Sequence, residues 1–414
     1  MSYIQFTNNQ LYIESVSAKL LVAEYGTPLY VYSKSHILDA FNQYQSACGE
    51  QDLICYAVKA NSNLAILNLL AKQGAGFDIV SIGELERVIA AGGDAKKVVF
   101  SGVAKKALEI KKALEYGIHC FNVESAAELE RINQVALSLG TKAPISLRVN
   151  PDVDAQTHPY ISTGLKDNKF GIPANEAIAL FQYADTLEGI LIKGIDCHIG
   201  SQIIDPAPLY AALDKLLTLV NELKQHHIIL DHIDLGGGLG VNYENEIEPD
   251  VAQFVHQVKN KIAALNLNLI LEPGRSIVAN AGVLLTEVEY LKNNGNKHFA
   301  IVDAAMNDLL RPALYQAWMN IQPIQYSDAP SKLVDIVGPV CESSDFLGKD
   351  RQFPIEAGEF LAVFSAGAYG FGMASNYNSR PRAAEILVFE TNHQVVRQRE
   401  VMKSLFANES LDQL

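Results

Sequence analysis

Four short segments of the sequence contain side chains that could take part in catalysis, and each one ends an apolar run. The first is YAVKAN at residues 56–61, where Lys59 offers an amine that could form an imine with a carbonyl group. A lysine that extends from a strand end into water fits the same pattern. Lys59 alone therefore leaves both interpretations open.

The second and third segments offer a flat ring and a bare stretch of backbone. In HIGSQ, at residues 198–202, His198 could stack on a cofactor ring while Ser201 and backbone N–H groups bind an anion. In GGGLG, at residues 236–240, the missing Cβ atoms would let the backbone close on a phosphate. A buried core histidine and a tight turn are the alternatives for these two segments.

The fourth segment, EPGRS at residues 272–276, supplies an acid and a guanidinium. Glu272 could hold a heteroaromatic nitrogen in its protonated form, and Arg275 could bind a carboxylate or phosphate through two hydrogen bonds. A local surface ion pair is the alternative. Taken together, the four segments match the needs of pyridoxal phosphate better than those of other cofactors. Residues 236–240 lack the glycine spacing of a dinucleotide site, and the sequence has no Walker phosphate loop.

The pattern of elements around these segments predicts a parallel barrel. Amphipathic helical patterns at residues 64–73, 84–91, 105–115 and 126–139 alternate with β-rich runs. Eight such runs within roughly 230 residues favour a closed (β/α)₈ barrel, with a doubly wound sheet as the alternative. The carboxyl ends of barrel strands gather at one mouth, where active sites form. The predicted strands lie at residues 53–58, 76–80, 97–101, 118–123, 145–149, 191–198, 231–235 and 268–271.

The pattern of predicted elements changes after residue 281, where strands follow one another with little helix between them. They are predicted at residues 282–292, 297–303, 332–340, 359–364 and 384–390, and a strand-like stretch also occupies residues 10–16. The predicted fold is therefore an α/β (β/α)₈ barrel over residues 26–281 plus an all-β domain. That second domain would comprise residues 1–25 and 282–414, completed by the N-terminal strand.

Composition and charge exclude several classes of protein. The 414 residues include 33 basic and 47 acidic side chains, so the net charge is −14, which argues against a nucleic-acid interface. No apolar run approaches the length of a membrane span, and the N-terminus lacks the pattern of a signal peptide. Five scattered cysteines form no CxxC pair, which is typical of reduced thiols in the cytoplasm.

Six ordered motifs give the chain a family resemblance. They are YAVKAN at 56–61, HIGSQ at 198–202, GGGLG at 236–240, EPGRS at 272–276, GPVCESSD at 338–345 and AGAYG at 366–370. With these motifs the chain resembles the diaminopimelate decarboxylases, which belong to the alanine-racemase-like, fold type III enzymes that use pyridoxal phosphate. The resemblance extends over nearly the whole chain and implies a barrel plus a β domain.

The resemblance also implies roles for individual residues. Lys59 would carry pyridoxal 5'-phosphate as an imine, His198 would stack on its ring, and Cys341 would return a proton to the substrate carbon. A homodimer is implied, because in the family Cys341 and Glu342 reach the active site of the other subunit. The implied cofactor-binding residues are Lys59, Asp78, His198, Ser201, Gly238, Glu272, Gly274, Arg275 and Tyr369. The implied substrate-binding residues are Arg275, Arg311, Tyr315, Glu342 and Tyr369.

The implied reaction is decarboxylation of meso-2,6-diaminopimelate to L-lysine and CO₂, the last step of lysine biosynthesis. A decarboxylase of carboxynorspermidine or of a basic amino acid is the alternative among enzymes, and a homologue without catalysis is the alternative in another class. Taken alone, Arg311 also fits a surface cation and Cys341 an inert buried thiol. One departure from the family is Ile82, where a glycine is usual.

Overall fold

The computed structural model describes residues 3–155, 158, 163–164 and 168–412. Its contacts divide the chain into two compact units. The first unit comprises residues 40–241 and 247–276. The second comprises residues 1–39, 242–246 and 277–414, so that the first is inserted into the second along the chain.

Eight parallel strands form a closed barrel in the first unit. Their order around the barrel follows the order of the chain, and the eighth strand pairs with the first. This confirms the predicted barrel and excludes a doubly wound sheet. Barrel strands one to eight are Leu53–Ala57, Gly76–Ile79, Val98–Phe100, Cys120–Val123, Ala143–Asn150, Ile190–Asp196, His232–Asp234 and Asn268–Leu271.

Helices connect the barrel strands, and several begin at a side chain that caps their free backbone N–H groups. The side-chain oxygens of Asn63, Ser81, Ser125 and Asp250 accept such bonds. A short strand, Ile172–Pro173, follows the fifth barrel strand, and the helix Lys34–Ala47 precedes the first. The connecting helices are Leu64–Lys72, Ile82–Ala90, Ala107–Tyr116, Ala126–Ser138, Ala174–Asp185, Ala207–Gln225 and Val251–Ile262, with 3₁₀ turns at Val58–Ala60, Ala95–Lys97 and Ala263–Leu265.

The barrel core consists of continuous apolar strand segments, because parallel strands are buried on both faces. Phe77, Phe100 and Phe121 are fully or almost fully buried on consecutive strands. A smaller cluster of Cys55, Val99, Cys120 and Ile270 is also buried. Because apolar side chains fill the interior in this way, catalytic side chains are expected at the ends of the strands.

The second unit is built around a large β-sheet and a smaller one. The small antiparallel sheet contains Ile4–Thr7, Gln10–Ile13 and Val16–Ser17, followed by the helix Ala18–Tyr25. The large sheet runs in the order Phe346–Phe353, Lys332–Val337, Lys297–Val302, Gly282–Asn294, Leu29–Ser33, Ala384–Phe389 and Asn392–Arg397; Phe360–Val363 pairs with Gly282–Asn294 and with Ile321–Pro323. The short helix Arg275–Val278 includes the last two residues of the first unit and the first residues of the segment 277–414 of the second. Further short helices and 3₁₀ turns of the second unit lie at Arg311–Tyr315, Phe371–Met373, Tyr377–Ser379 and Met402–Phe406.

The N-terminal strand of the large sheet is Leu29–Ser33 rather than residues 10–16. It lies antiparallel to Gly282–Asn294 and parallel to Ala384–Phe389, and all five of its residues are buried. Residues 10–16 contribute to the small sheet instead. The predicted barrel domain begins at residue 26 and so includes this strand, whereas the structure places the strand in the second unit. The sequence pattern did not distinguish the two, because a continuous apolar run can fill a central position in either kind of sheet.

Among the described residues, no helix has the length and apolar character needed to cross a membrane.

Candidate active site

Lys59 lies in the 3₁₀ turn that follows the first barrel strand. Its amine forms an ion pair with Asp78, which lies near the end of the neighbouring second strand. Asp78 is fully buried, and its Oδ1 atom has no hydrogen-bond partner within the described part of the chain. A buried carboxylate therefore fixes the direction of an amine that is itself one-third exposed.

The glycine loop after the seventh strand approaches its neighbours too closely for any side chain. Gly236 and Gly238 have φ angles of 63° and 114°. A Cβ atom on Gly238 would lie 2.6 Å from the carbonyl oxygen of Gly200, and one on Gly236 would lie 2.6 Å from His198 Nδ1. The glycines are thus required by packing between adjacent strand ends, and they leave backbone without side chains at the mouth.

His198 follows the sixth strand and stands against this loop. Its carbonyl oxygen accepts hydrogen bonds from Thr163 Oγ1 at 2.7 Å and from Arg148 Nη2 at 3.4 Å. Burial, together with the charges of Arg148 and Lys59, lowers the pKa of His198 well below its usual range. The imidazole is therefore neutral at pH 7, and a neutral ring can stack on another flat ring without adding charge.

Ser201 and Arg275 connect the ends of the sixth and eighth strands. Ser201 Oγ accepts hydrogen bonds from Arg275 Nε at 3.2 Å and Nη2 at 3.0 Å. Arg275 is buried, with 6% of its surface exposed. A buried guanidinium beside a hydroxyl and bare backbone is suited to an anion such as a phosphate or carboxylate.

Glu272 directly follows the eighth strand and is buried among other acids. Asn122 donates a hydrogen bond to its Oε1 atom at 3.3 Å. Burial first, and then the charges of Asp234, Asp78 and Asp196, raise the pKa of Glu272 well above its usual range. Glu272 can therefore exist in the protonated form and donate a proton to a nitrogen placed beside it.

Two further acids, Asp196 and Asp234, belong to the same cluster and were missed by the sequence analysis. Carboxylate oxygens of Asp196, Asp234 and Glu272 all lie within 4.8 Å of one another. Asp196 and Asp234 are the last residues of the sixth and seventh barrel strands. A polar residue that ends an apolar barrel strand was the signal that could have identified them.

Gly274 and Ile82 shape the surroundings of this group. A Cβ atom on Gly274 would lie 2.9 Å from Ala57 Cβ and 3.0 Å from Ala60 Cβ, so glycine lets the eighth strand end pack against the turn that holds Lys59. Ile82 begins the helix Ile82–Ala90, and its N–H group donates to Glu109. Ile82 thus occupies a helix start, where a side chain is accommodated.

The second unit contains the other predicted substrate residues. Arg311 begins the short helix Arg311–Tyr315 and is buried, with its guanidinium 4.2 Å from the ring centre of Tyr243. Tyr315 lies half-buried at the end of this helix. Tyr369 is also half-buried and has a positive φ of 55°.

Cys341 and Glu342 lie side by side on an exposed turn of the second unit. Buried Asp345 fixes the turn, since its carboxylate accepts the N–H groups of Val340 and Met306 at 2.7 Å each. Tyr377 donates its hydroxyl hydrogen to Glu342, and the Cys341 N–H group donates to Asn378 Oδ1 at 3.0 Å. The thiol and the carboxylate are therefore held at the surface by defined contacts.

The structure thus brings together, at one mouth of the barrel, the predicted residues of the first unit. They are Lys59, Asp78, His198, Ser201, Gly238, Glu272, Gly274 and Arg275. The predicted residues of the second unit are Arg311, Tyr315, Cys341, Glu342 and Tyr369.

The chain matches a known family and known proteins over most of its length. Residues 34–279 match the model of the family described as "Pyridoxal-dependent decarboxylase, pyridoxal binding domain". The chain is 56% identical over 412 residues to a diaminopimelate decarboxylase of Pseudomonas aeruginosa, with 99% of each chain covered. It is 53% identical over 413 residues to that of Haemophilus influenzae, covering 99% of this chain and 100% of the relative.

Solved structures show the same fold. Diaminopimelate decarboxylase from Helicobacter pylori, complexed with L-lysine, superposes with a TM-score of 0.91 at 46% identity and covers 94% of this chain and 98% of its own. The enzyme from M. jannaschii, in co-complex with L-lysine, gives a TM-score of 0.94 at 39% identity, with 99% and 98% covered.

Proposed function

This chain belongs to the pyridoxal-dependent decarboxylases and, within them, to the diaminopimelate decarboxylase family, and we propose that it converts meso-2,6-diaminopimelate to L-lysine and CO₂. The observation that carries the proposal is the cluster at the barrel mouth, where an amine, a neutral imidazole, a bare glycine loop and a buried protonatable acid come together. This is the last step of lysine biosynthesis.

The residues at the mouth fit pyridoxal 5'-phosphate. A buried Arg275 paired with Ser201 offers an anion site, the loop around Gly238 exposes backbone, and Glu272 supplies a buried acid for a ring nitrogen. Lys59 would hold the aldehyde carbon, and His198 would lie against the ring, with Asp78 and Gly274 supporting the turn that carries Lys59. When bound there, pyridoxal phosphate supplies an electron sink that accepts the electrons left behind by departing CO₂.

Glu272 would control how strongly the bound cofactor ring withdraws electrons. A carboxyl group with a raised pKa can keep a proton at the ring nitrogen, which strengthens the withdrawal of electrons. A racemase relative with arginine opposite the nitrogen would stabilise a carbanion less. Glu272 is thus the side chain that favours decarboxylation over racemisation.

The distal part of diaminopimelate carries both an amine and a carboxylate, and the proposed ligands match both. Arg275 and Arg311 are cations for the carboxylate, with Tyr315 and Tyr369 as further contacts, while Glu342 is an anion for the amine. Lysine and ornithine lack the distal carboxylate. Binding of either molecule would leave a buried arginine without its partner, which would weaken the binding free energy by about 1–3 kcal/mol.

Cys341 has the role of returning a proton to the substrate carbon after CO₂ has left. It lies exposed beside Glu342. We propose that this pair serves the active site of a partner subunit in a homodimer, as the family resemblance implies. All five cysteines are free thiols, which supports a cytoplasmic location.

The test is to incubate purified protein and pyridoxal phosphate with meso-diaminopimelate and to measure lysine and CO₂. Equimolar L-lysine and CO₂, both abolished in Lys59→Ala, are the expected result. If no lysine forms although the protein shows the absorption of a bound imine, the substrate assignment fails and the cofactor assignment remains. Parallel reactions with carboxynorspermidine, lysine and ornithine then separate the related decarboxylases.

A further inference from the structure

Three side chains of types that can bind a metal ion meet at the end of the barrel opposite the candidate active site. His119 directly precedes the fourth barrel strand, Cys120 begins that strand, and His232 begins the seventh. One ligand atom from each lies within 4.8 Å of the other two. The two imidazole rings have centroids 5.4 Å apart and are tilted by 45°. The amino ends of two non-adjacent strands thus contribute to one group.

One of the two histidines has a buried ring nitrogen that makes no hydrogen bond within the described part of the chain. His232 is 3% exposed, and its Nε2 atom makes no hydrogen bond to any described residue. Gly194 on the neighbouring sixth strand provides the room for the ring, since a Cβ atom there would overlap it. A buried ring nitrogen without a partner is costly, and a metal ion bound to it would remove that cost.

His119 is oriented as metal-binding histidines usually are. Its ring makes a hydrogen bond to the backbone of Lys96, and metal ligands commonly use their second nitrogen in this way. A neutral imidazole has one ring nitrogen with a free lone pair, and that nitrogen is the atom that can bind a metal ion.

Cys120 completes the set as the soft ligand. Its thiol is fully buried and donates a weak hydrogen bond to Asn122 Oδ1 at 3.9 Å. A bound dication would have to displace the thiol proton, as metals do at cysteine ligands.

We propose that His119, Cys120 and His232 form a binding site for one transition-metal dication, with Zn²⁺ as the best match. Two imidazoles and a thiolate suit zinc, which accepts nitrogen and sulfur ligands in a tetrahedral arrangement. Three protein ligands leave the fourth position for water. Calcium and magnesium, which prefer oxygen ligands, are a poor match.

One of the three side chains, His119, faces a surface cleft, whereas Cys120 and His232 are buried. His119 lines this cleft together with Cys48, Asp52, Gly74 and Lys97. Asp231, next to His232, favours a cation, whereas Lys193, which pairs with Asp231 at 2.6 Å, opposes it.

The site would serve stability rather than turnover. A metal ion bound there ties the fourth strand to the seventh across the barrel, at the end away from Lys59. Binding to the folded state alone raises the thermal midpoint, and the rise grows with the free metal concentration. The holoenzyme should therefore gain several degrees with Zn²⁺ while kcat for lysine formation stays the same.

The experiment uses untagged holoenzyme that has been treated with a chelator and then titrated with Zn²⁺ or Co²⁺. We expect one metal ion per chain by elemental analysis, and visible Co²⁺ bands of tetrahedral coordination at wavelengths outside the cofactor's absorption. X-ray absorption of the Zn²⁺ form should show one sulfur at about 2.3 Å and two nitrogens at about 2.0–2.1 Å. Metal content well below one per chain, or a shell without sulfur, overturns the proposal.

Matched variants locate the metal. Cys120→Ser and His232→Asn should lose the Co²⁺ bands and the gain in thermal midpoint. Cys48→Ser, which removes a thiol lining the same cleft, should keep both. Repeating the titration with Cys341→Ser excludes binding at the exposed thiol, because Co²⁺ bands that disappear there would contradict the proposed site. If Cys120→Ser does not fold, the sulfur distance in the wild-type protein still decides the matter.

Discussion

At Glu272, the environment of a residue changes what its side chain can do. An exposed glutamate is ionised at pH 7, but this one shares a buried space with Asp78, Asp196 and Asp234. Like charges in a buried space favour binding of a proton. The acid cluster therefore explains how a carboxyl group at the strand end can hold a proton for a ring nitrogen.

Replacing Glu272 with glutamine should lower kcat by about two to four orders of magnitude, because the amide cannot supply the proton. The change should leave the absorption of bound pyridoxal phosphate in place, since Lys59 and Arg275 are unchanged. Steady-state lysine formation and the absorption spectrum of the variant measure the two effects. Turnover near the wild-type value would remove Glu272 from its proposed role.

Sequence reasoning at this scale identified the residues of recognisable chemical type and missed those that act through burial. Lys59, His198 and Glu272 follow apolar runs and are visible as strand ends. Asp196 and Asp234 also end strands, but an acid within an apolar run does not reveal that two others lie within 4.8 Å. The glycine loop was identified for its bare backbone, whereas its φ angles and its close approach to Gly200 could be known only from the fold.

At the scale of elements, a buried ion pair joins Lys105, in the loop before the helix Ala107–Tyr116, to Glu128 in the next helix. Lys105 donates to Glu128 at 2.6 Å and to the carbonyl oxygens of Gly102 and Asn122 at 2.8 and 2.7 Å. Both charged side chains are almost completely buried. The pair thus connects the ends of the third and fourth barrel strands to the helix Ala126–Ser138.

Lys105→Met should lower the free energy of unfolding by about 3–5 kcal/mol, because it leaves the Glu128 carboxylate buried without its partner. Lys112→Met breaks an exposed pair with Glu86 and should cost less than about 1 kcal/mol. Denaturant unfolding of both variants at pH 8 measures the difference. Equal losses would show that burial does not determine the strength of the Lys105 pair.

A second element-scale feature is the turn after the strand Lys297–Val302, where Asp308 accepts the N–H group of Ala305 at 3.0 Å. Burial raises the pKa of Asp308 to about 7. In the unfolded chain an aspartate titrates near its ordinary value of about 3.9. Between these values the folded state binds more protons, so this group makes the fold less stable as pH rises from about 4 to about 7.

Asp308→Asn should therefore gain stability relative to the wild type as pH rises through that window, by up to about 4 kcal/mol. The amide oxygen can still accept from Ala305, while the bond from Asn307 Nδ2 is lost at every pH. Unfolding at a series of pH values compares the two proteins, with exposed Asp350→Asn as the control. A constant difference between Asp308→Asn and the wild type across the window would contradict the assignment.

Element order was more predictable than sheet membership. The eight barrel strands have alternating helices as a guide, and their predicted positions agree with the structure to within a few residues. Leu29–Ser33 has no such guide, because its pairing with Gly282–Asn294 joins residues some 250 positions apart in sequence. Local periodicity gives the type of an element but not its distant partner.

At the scale of the whole molecule, the exposed pair Cys341 and Glu342 needs an explanation. Chemically useful side chains are usually sheltered from water, yet both are exposed in the single chain. The turn that carries them is anchored by buried Asp345, so it is held in place rather than loose. The proposed two-fold homodimer, in which each subunit's thiol serves its partner and the pair is covered, would account for both observations.

Mixing two inactive variants tests this arrangement directly. Lys59→Ala disables the barrel mouth and Cys341→Ala disables the thiol, so a mixed dimer has one site with both defects and one site with neither. Random exchange of subunits should then restore about one quarter of wild-type lysine formation.

Lys59→Ala mixed with Glu272→Gln is the control, because both changes affect the barrel mouth and every site in that mixed dimer stays defective. Differently tagged subunits that co-purify show that exchange has occurred. If exchanged Lys59→Ala and Cys341→Ala dimers remain inactive, Cys341 does not act in the partner's site.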